Sequence, residues 1–482
     1  MKAFTEPLLS LAGFEEMTKT AEKSSGLISV TGCIDAQKSQ MIYAFGGHRK
    51  NKLIVTFGEQ KAKELYDEYS FFDKEVVYYP SKDVLFYQSD IRGNLLTAER
   101  IRALKAIREK ERVTLVTTFD ALMNTMAPIE KMWENVLALE QGQLLDLKEI
   151  QAALIRMGYE KEYQVQTMGQ FSVRGGILDV FPLTEENPIR IELWGDEIDT
   201  IRYFDCESQK SIENIDWVSI YPAAELVLSD EEKAGGIEKL KAEAKRVSDK
   251  LRKQMKTEEA HRVSVMADEL TEEWGELSMY AGMDAFLSYF FDERVGLLDY
   301  FKPSDSLIFF DELTRCTEQG KLTETEFSES MKQRLAMGYI LPGQMNGLFT
   351  EKEIVAKLGK YSCVALGALD NKANGLHQLG SYGIHCQSVS PYNNSFELLI
   401  KDLKRYKKNG YRVILLSGSR TRAKRLSEDI TDQGITCFYT ENYDHELSEG
   451  QIMVCYGKVR RGFEYPILKF AVITESDIFG AQ

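Results

Sequence analysis

The sequence predicts a multidomain α/β protein. It reads as an α/β domain carrying a degenerate phosphate loop, an inserted α+β domain with an antiparallel sheet, and a separate small α/β domain at the C-terminal end. Three observations carry this prediction. At 482 residues the chain is too long for one ordinary core. Apolar strands alternate with helical stretches at both ends, whereas the middle switches to short strands joined by tight Gly and Pro turns.

Residues 1–128 hold the strand-like runs "GLISVTG" (26–32), "NKLIVTF" (51–57), "EVVYYP" (75–80) and "RVTLVTTF" (112–119), with helical stretches between them. One of these is "TAERIRALKAIREKE", which Thr97 is expected to open with Arg100 three residues later. Strands separated by helices require crossovers, so the sheet is expected to be parallel and covered on both faces. From 129 to 222 a helix around 145–158, ended by Gly158, leads into "GQFSVRGGILDVFP", "NPIRIELWGDEIDTIRYFD" and "DWVSIYPA", the short strands of an antiparallel insert.

Residues 223–340 read as a return to the first domain. Ile237, Leu240, Ala244, Val247, Leu251 and Met255 fall at three- and four-residue spacing and predict one apolar stripe on a charged helix that docks a single face. The pattern covers too few heptads for a coiled coil. "DSLIFFDELTR" (305–315) then returns to the style of a buried strand. Residues 341–482 alternate strand and helix again and are assigned to the small C-terminal domain, for which no motif suggests a role.

A chain that is 43% hydrophobic and 28% charged, without biased tracts, has the composition of a soluble globular protein. No apolar run approaches the ~20 residues that cross a bilayer, and residues 1–15 lack a signal-peptide pattern, so no membrane partner and a cytoplasmic location are expected. Seven isolated cysteines, an odd number without a C-x-x-C pair, argue against a disulfide framework. His377, His385 and Cys386 form the one local His/Cys cluster, but their spacing fits no common zinc pattern and no metal site is assigned. The net charge of −15 disfavours a protein whose main business is gripping nucleic acid, although it leaves room for a local basic patch.

"VTGCIDAQKSQMIYA" follows a strand and opens a helix, the setting of a Walker A loop. Gly32, Lys38 and Ser39 meet the template, but Gln37 stands where the second glycine belongs. That glycine leaves phosphate oxygens room against backbone amides, and a Gln side chain fills the space. Asp35, inside the loop, would oppose a bound phosphate. "LIFFDE" has the form of a Walker B strand, in which Asp311 would hold magnesium through water and Glu312 would position a nucleophile. These five residues, Gly32, Lys38, Ser39, Asp311 and Glu312, are the candidate degenerate nucleotide site. No arginine-rich helicase motif completes it, and no catalytic residue is assigned.

"GQFSVRGGILDVFP" followed by "IRIELWGDEIDTIRYFD" resembles the segment by which the excision-repair subunit UvrB and the bacterial transcription-repair coupling factors (Mfd) contact UvrA. "YYPSKDVLFYQSDIRG" and "VTTFDALMNTMAP" are similar to the same family. "GKVRRGFEYPILKFAVITESDIFG" is similar to the coupling factors in particular, just before their RNA-polymerase-binding domain. UvrB is the poorer match: its phosphate loop is intact, it inserts a long aromatic hairpin for which this chain has no room between "EVVYY" and "PSKD", and its C-terminal helicase motifs are missing here.

The resemblance implies a degenerate, helicase-like P-loop domain with a UvrA-binding insert, as in the N-terminal half of a coupling factor. It implies an adaptor that recruits UvrA in nucleotide excision repair to RNA polymerase stalled at a lesion. The chain would have no cofactor and no enzyme activity of its own. ATP, magnesium, DNA translocation and the polymerase contact would belong to a C-terminal part absent from this sequence. An ATPase or helicase-type repair component using Lys38, Ser39, Asp311 and Glu312 is the alternative, and a DNA-binding scaffold is a further one.

Strand alternation in "RIELW" puts Arg190, Glu192 and Trp194 on one face and Ile191 and Leu193 on the other, so that an Arg and a Trp point outward as the apolar face packs inward. Arg174 reaches the same side if the two segments pair. Exposed Arg and Trp are the residue types that dominate interface energies, but the same residues also suit a core aromatic with arginines paired to Glu192 or Asp196. The resemblance places the UvrA-binding positions on Arg174, Arg190 and Trp194, with Trp194 where the family often has Phe.

Overall fold

The computed structural model describes residues 1–482 except 47–48, 85–92, 277–281 and 481–482. Part of the "YYPSKDVLFYQSDIRG" resemblance therefore lies outside the described residues. The first domain is built on seven parallel strands. Across the sheet they are Gln378–Gly383, Gly26–Thr31, Ser362–Leu366, Ser306–Asp311, Asn51–Thr56, Val113–Thr118 and Val77–Tyr79. Successive strand residues face opposite layers: Leu27 and Leu53 join one buried cluster, Ile28 and Ile54 the other. A sheet covered on both faces needs apolar residues at consecutive positions, and this is why its strands read as continuous apolar runs.

Two of those strands correct the expected boundary at 341. Ser362–Leu366 lies between Gly26–Thr31 and Ser306–Asp311, and Gln378–Gly383 forms the sheet edge, so the first domain extends through 383. "SCVAL" is buried throughout and its sequence would suit either sheet; only the pairing distinguishes them. A second correction concerns Thr97. The helix it was expected to open runs Gly93–Glu109, with Thr97 inside it. Arg100 of this helix is fully buried, and its Nε donates to Glu225 at 2.6 Å.

The insert has a six-stranded sheet ordered Ser211–Ile215, Glu197–Phe204, Ile189–Trp194, Ile177–Val180, Gln170–Arg174 and Glu160–Lys161. Its pairings are antiparallel apart from the last, which is parallel. Leu137–Glu140 and Trp217–Ile220 pair separately where the chain enters and leaves. The helix Leu147–Arg156 buries Ile150 and Leu154 against Phe171, Leu178, Ile189 and Ile191 of the large sheet.

The charged segment folds into two antiparallel helices, Asp230–Lys253 and Thr257–Glu276. The first begins at a capping box, in which Glu232 N donates to Ser229 Oγ (3.1 Å) and Ser229 N to Glu232 Oε1 (3.2 Å). Leu240, Ala244 and Leu251 of the predicted stripe are buried, and Ile237 and Val247 are partly so. Met255 departs from it: the helix has ended, its φ is +64°, and it is 85% exposed.

The last sheet is ordered Gln387–Ser388, Phe463–Tyr465, Phe470–Thr474, Arg412–Ser417, Ile452–Tyr456 and Phe438–Tyr439. This unit is not separate, contrary to expectation. Its Leu416, Met453, Phe463 and Tyr465 share one buried cluster with Met41, Ile54 and Phe309 of the first domain. Tyr465 Oη donates to Gln40 Oε1 at 2.8 Å inside that shared core. No helix is long and apolar enough to cross a membrane among the described residues.

Candidate functional site

The Walker-like segment has the expected framework: the strand Gly26–Thr31, a turn, then the helix Asp35–Ala44. The turn, however, is satisfied from within the protein. Gly32 N donates to Ala368 O (3.1 Å), Cys33 N to Gly367 O (3.0 Å), and Ile34 N to the Gln37 side-chain Oε1 (3.2 Å). A phosphate-binding loop holds its ligand with free amides, and these three are already engaged. Gln37 occupies the glycine position because it caps its own helix, fully buried. Gly32 is required by the fold as well: its φ is +79°, and a Cβ there would lie 2.0 Å from Ile384 O.

Lys38, the lysine of the Walker-like pattern, is turned onto carboxylates. Its Nζ lies 2.5 Å from Asp311 Oδ1, 3.2 Å from Glu312 Oε1 and 3.2 Å from Asp35 Oδ1. Three acceptors match the three protons of the ammonium. Burial alone would favour the neutral amine, but the Asp311, Glu312 and Asp35 charges overcome it and raise the Lys38 pKa. The other Asp311 oxygen, Oδ2, accepts from Thr56 Oγ1 at 2.8 Å, so both are engaged. Asp35 is exposed at the start of the helix and also pairs with Lys61 at 3.0 Å. Ser39 is buried, and its hydroxyl has no partner.

Of the five predicted residues, Lys38, Asp311 and Glu312 thus meet in an ion cluster with Asp35, while Gly32 and Ser39 take no part in it. Sequence reading missed Thr56, Lys61, Gly367 and Ala368. The last two carry no signal, because they act through backbone carbonyls. Among the described residues no group of three His, Cys, Asp or Glu side chains is placed to hold a metal ion.

On the insert, Ile189 and Ile191 face the core and Arg190, Glu192 and Trp194 the other side, as the alternation in "RIELW" requires. Trp194 is 83% exposed. It ends its strand and pairs across a two-residue turn with Glu197. Arg190 does not point freely outward and corrects that expectation. It forms a fork on Asp179 (Nε to Oδ1 2.8 Å, Nη2 to Oδ2 2.9 Å), donates to Gln209 Oε1 (2.7 Å) and stacks 4.2 Å over Phe204, leaving its side chain 12% exposed. The residues pair directly across neighbouring strands, Asp179 with Arg190. The Asp179 hydrogen bonds outweigh the partial burial of the guanidinium and raise the Arg190 pKa.

Arg174 is the freer arginine, more than a third exposed, 3.8 Å from Asp179 and over the Tyr163 ring at 5.8 Å. Both arginines therefore converge on Asp179, a residue the sequence reading missed. Its signal was the alternation in "ILDVF", which places Asp179 between buried Leu178 and Val180.

Residues 137–226 match the family model of the UvrB interaction domain. The chain is 28% identical over 429 residues to the transcription-repair-coupling factor of Bacillus subtilis strain 168, covering 88% of this chain and 36% of that protein. The factor of Staphylococcus haemolyticus is 26% identical over 462 residues, covering 94% and 38%. That of Staphylococcus aureus strain MRSA252 is 26% identical over 482 residues, covering 97% and 39%. The chain spans little more than a third of the length of these relatives. The resemblance read from the sequence therefore holds: nearly the whole chain is similar to part of a transcription-repair-coupling factor, and residues 137–226 to a UvrB interaction domain.

Proposed function

We propose that this chain is the UvrA-recruiting, UvrB-like part of a transcription-repair coupling factor and has no catalytic activity of its own. The observation that carries the reading is the match of residues 137–226 to a UvrB interaction domain whose most exposed tryptophan, Trp194, lies on the same sheet face as Arg174 and Arg190. A large aromatic held in water on a rigid strand is a poor use of apolar area unless a partner covers it. In this reading Trp194 is the apolar anchor and Arg174 the charged contact. Arg190 neutralises Asp179 and holds the strands in register, so it acts on UvrA through the shape of the surface. RNA polymerase and DNA translocation, with ATP and magnesium, fall to the remainder of the full-length protein.

The absence of catalysis is supported by the engaged turn amides and by the Lys38 cluster. A pull-down of UvrA on immobilised wild-type chain and on Arg174→Ala tests the charged contact. Capture is expected to fall several-fold in the variant, and equal capture by both proteins would remove Arg174 from the interface.

A further inference from the structure

The charge of −15 is not spread evenly. Between residues 239 and 253 of the helix Asp230–Lys253, the exposed positions carry seven cations, Lys239, Lys241, Lys245, Arg246, Lys250, Arg252 and Lys253, and a single acid, Asp249. The antiparallel helix Thr257–Glu276 is the reverse. Its exposed positions carry Glu258, Asp268, Glu269, Glu272, Glu273 and Glu276, and its one basic residue of Lys or Arg type is Arg262. The C-terminal part of the first helix is thus basic, whereas its first turns carry Asp230, Glu231, Glu232 and Glu238 and the second helix is acidic.

The basic helix does little to neutralise itself. Lys239 to Asp292, Arg246 to Glu243 and Arg252 to Asp249 are loose pairs at 3.4–3.8 Å. Lys241, Lys245, Lys250 and Lys253 form no ion pair among the described residues. Lys241/Lys245 and Arg246/Lys250 stand four residues apart, a like-charge spacing that destabilises a helix by a few tenths of a kcal/mol per pair. Such a row in an acidic chain disfavours folding slightly and suits a polyanion. At 3.6 residues per turn the cations line two flanks of the exposed side, Lys239, Arg246, Lys250 and Lys253 on one and Lys241, Lys245 and Arg252 on the other, and at ~1.5 Å per residue the first flank is about 21 Å long. The apolar stripe beneath them, Leu240, Ala244 and Leu251, is buried, so the cations are carried on a helix docked through one face.

We infer that the exposed face of residues 239–253 binds the sugar-phosphate backbone of a nucleic-acid duplex, without base recognition, with the acidic helix beside it limiting how the duplex can lie. This does not depend on the UvrA reading. The face offers seven cations against one acid and no aromatic side chain to stack on an unpaired base, which favours a paired backbone over a single strand.

The test is fluorescence anisotropy of a labelled duplex with the full chain at several salt concentrations. Wild type is compared with K241Q/K245Q/K250Q and with K401Q/K404Q/K408Q, which removes equal charge from exposed positions on the helix Phe396–Lys408. Glutamine keeps helix propensity near that of lysine, so both variants should fold, with circular dichroism as the check. Saturable binding at about 50 mM salt is expected. The first variant should bind at least tenfold more weakly with a shallower salt slope, by about 0.9 for each phosphate no longer neutralised, and the second should stay within about threefold of wild type. DNA and RNA duplex arms identify the source of the backbone. Absence of binding, equal weakening in both variants, or equally tight binding of polyglutamate would overturn the inference.

Discussion

Lys38 Nζ and Asp311 Oδ1 lie 2.5 Å apart with both side chains only 1% exposed, so the lysine of a Walker-like turn is committed to the aspartate of a Walker B-like strand. An ATP titration of the chain with magnesium is accordingly expected to show no saturable binding in the micromolar range. Lys38→Ala would leave Asp311 buried without its cation. Unfolding in urea should show a loss of about 3–5 kcal/mol, the range for breaking one side of a buried pair. Micromolar ATP binding abolished by Lys38→Ala, with stability unchanged, would reverse this reading.

Restoring the template glycine should not restore a site. Gln37→Gly completes the Walker A pattern in sequence, yet the amides of Gly32 and Cys33 still donate to Ala368 and Gly367. The substitution removes the acceptor for Ile34 N and places a glycine in the first turn of a helix. A loss of about 1–2 kcal/mol without gain of nucleotide binding is expected, read by urea denaturation and calorimetric titration.

Arg190 and Trp194 should separate on mutation even though one strand carries both. Arg190→Ala strips the fork from Asp179, which is 2% exposed, and should lower stability by about 2 kcal/mol. Arg190→Lys, keeping charge but not the fork, should recover part of it. Hydrogen exchange across Gln170–Arg174 and Ile177–Val180 should quicken in Arg190→Ala and not in Trp194→Ala. Equal protection in both variants would place Arg190 among the surface contacts instead.

The junction between insert and body should be sensitive to acid. Glu225 accepts from Arg100 and also pairs with Lys82, which is paired in turn with Asp284. Burial alone would raise its pKa, but the Arg100 and Lys82 charges outweigh it and lower the carboxyl from its ordinary 4.5 to about 2. A carboxyl depressed in the folded state contributes its stability in full above about pH 4.5 and loses it as the pH falls toward 2. Wild type should therefore exceed Glu225→Gln by roughly 3 kcal/mol near neutrality, and the gap should close between about pH 4.5 and 2. Urea unfolding across that range reads it, and a gap independent of pH would contradict the assignment.

Much of the fold was legible because its determinants are local. The parallel strands read as apolar runs, the Asp230–Lys253 helix as a three- and four-residue stripe, and Arg190–Trp194 as an alternation. What was not legible depends on partners far along the chain. Nothing in "SCVAL" says that it pairs with Gly26–Thr31, so the boundary at 341 fell too early. Tyr465 meeting Gln40, which ties the last unit to the first, joins residues 425 apart. At the site, Gln37 is visible in the sequence as a departure from the template, but its role as a cap needed the geometry. Arg190 looked like a contact residue because residue type alone does not reveal Asp179 on the neighbouring strand.

The most direct test is the affinity of UvrA for this chain with Trp194→Ala, a substitution at a position so exposed that the fold should not change. Titration of labelled chain with UvrA is predicted to give a dissociation constant at least about tenfold weaker for the variant, the scale of an aromatic hot spot, with identical thermal unfolding. Equal affinity for wild type and Trp194→Ala would contradict recruitment through this face of the insert.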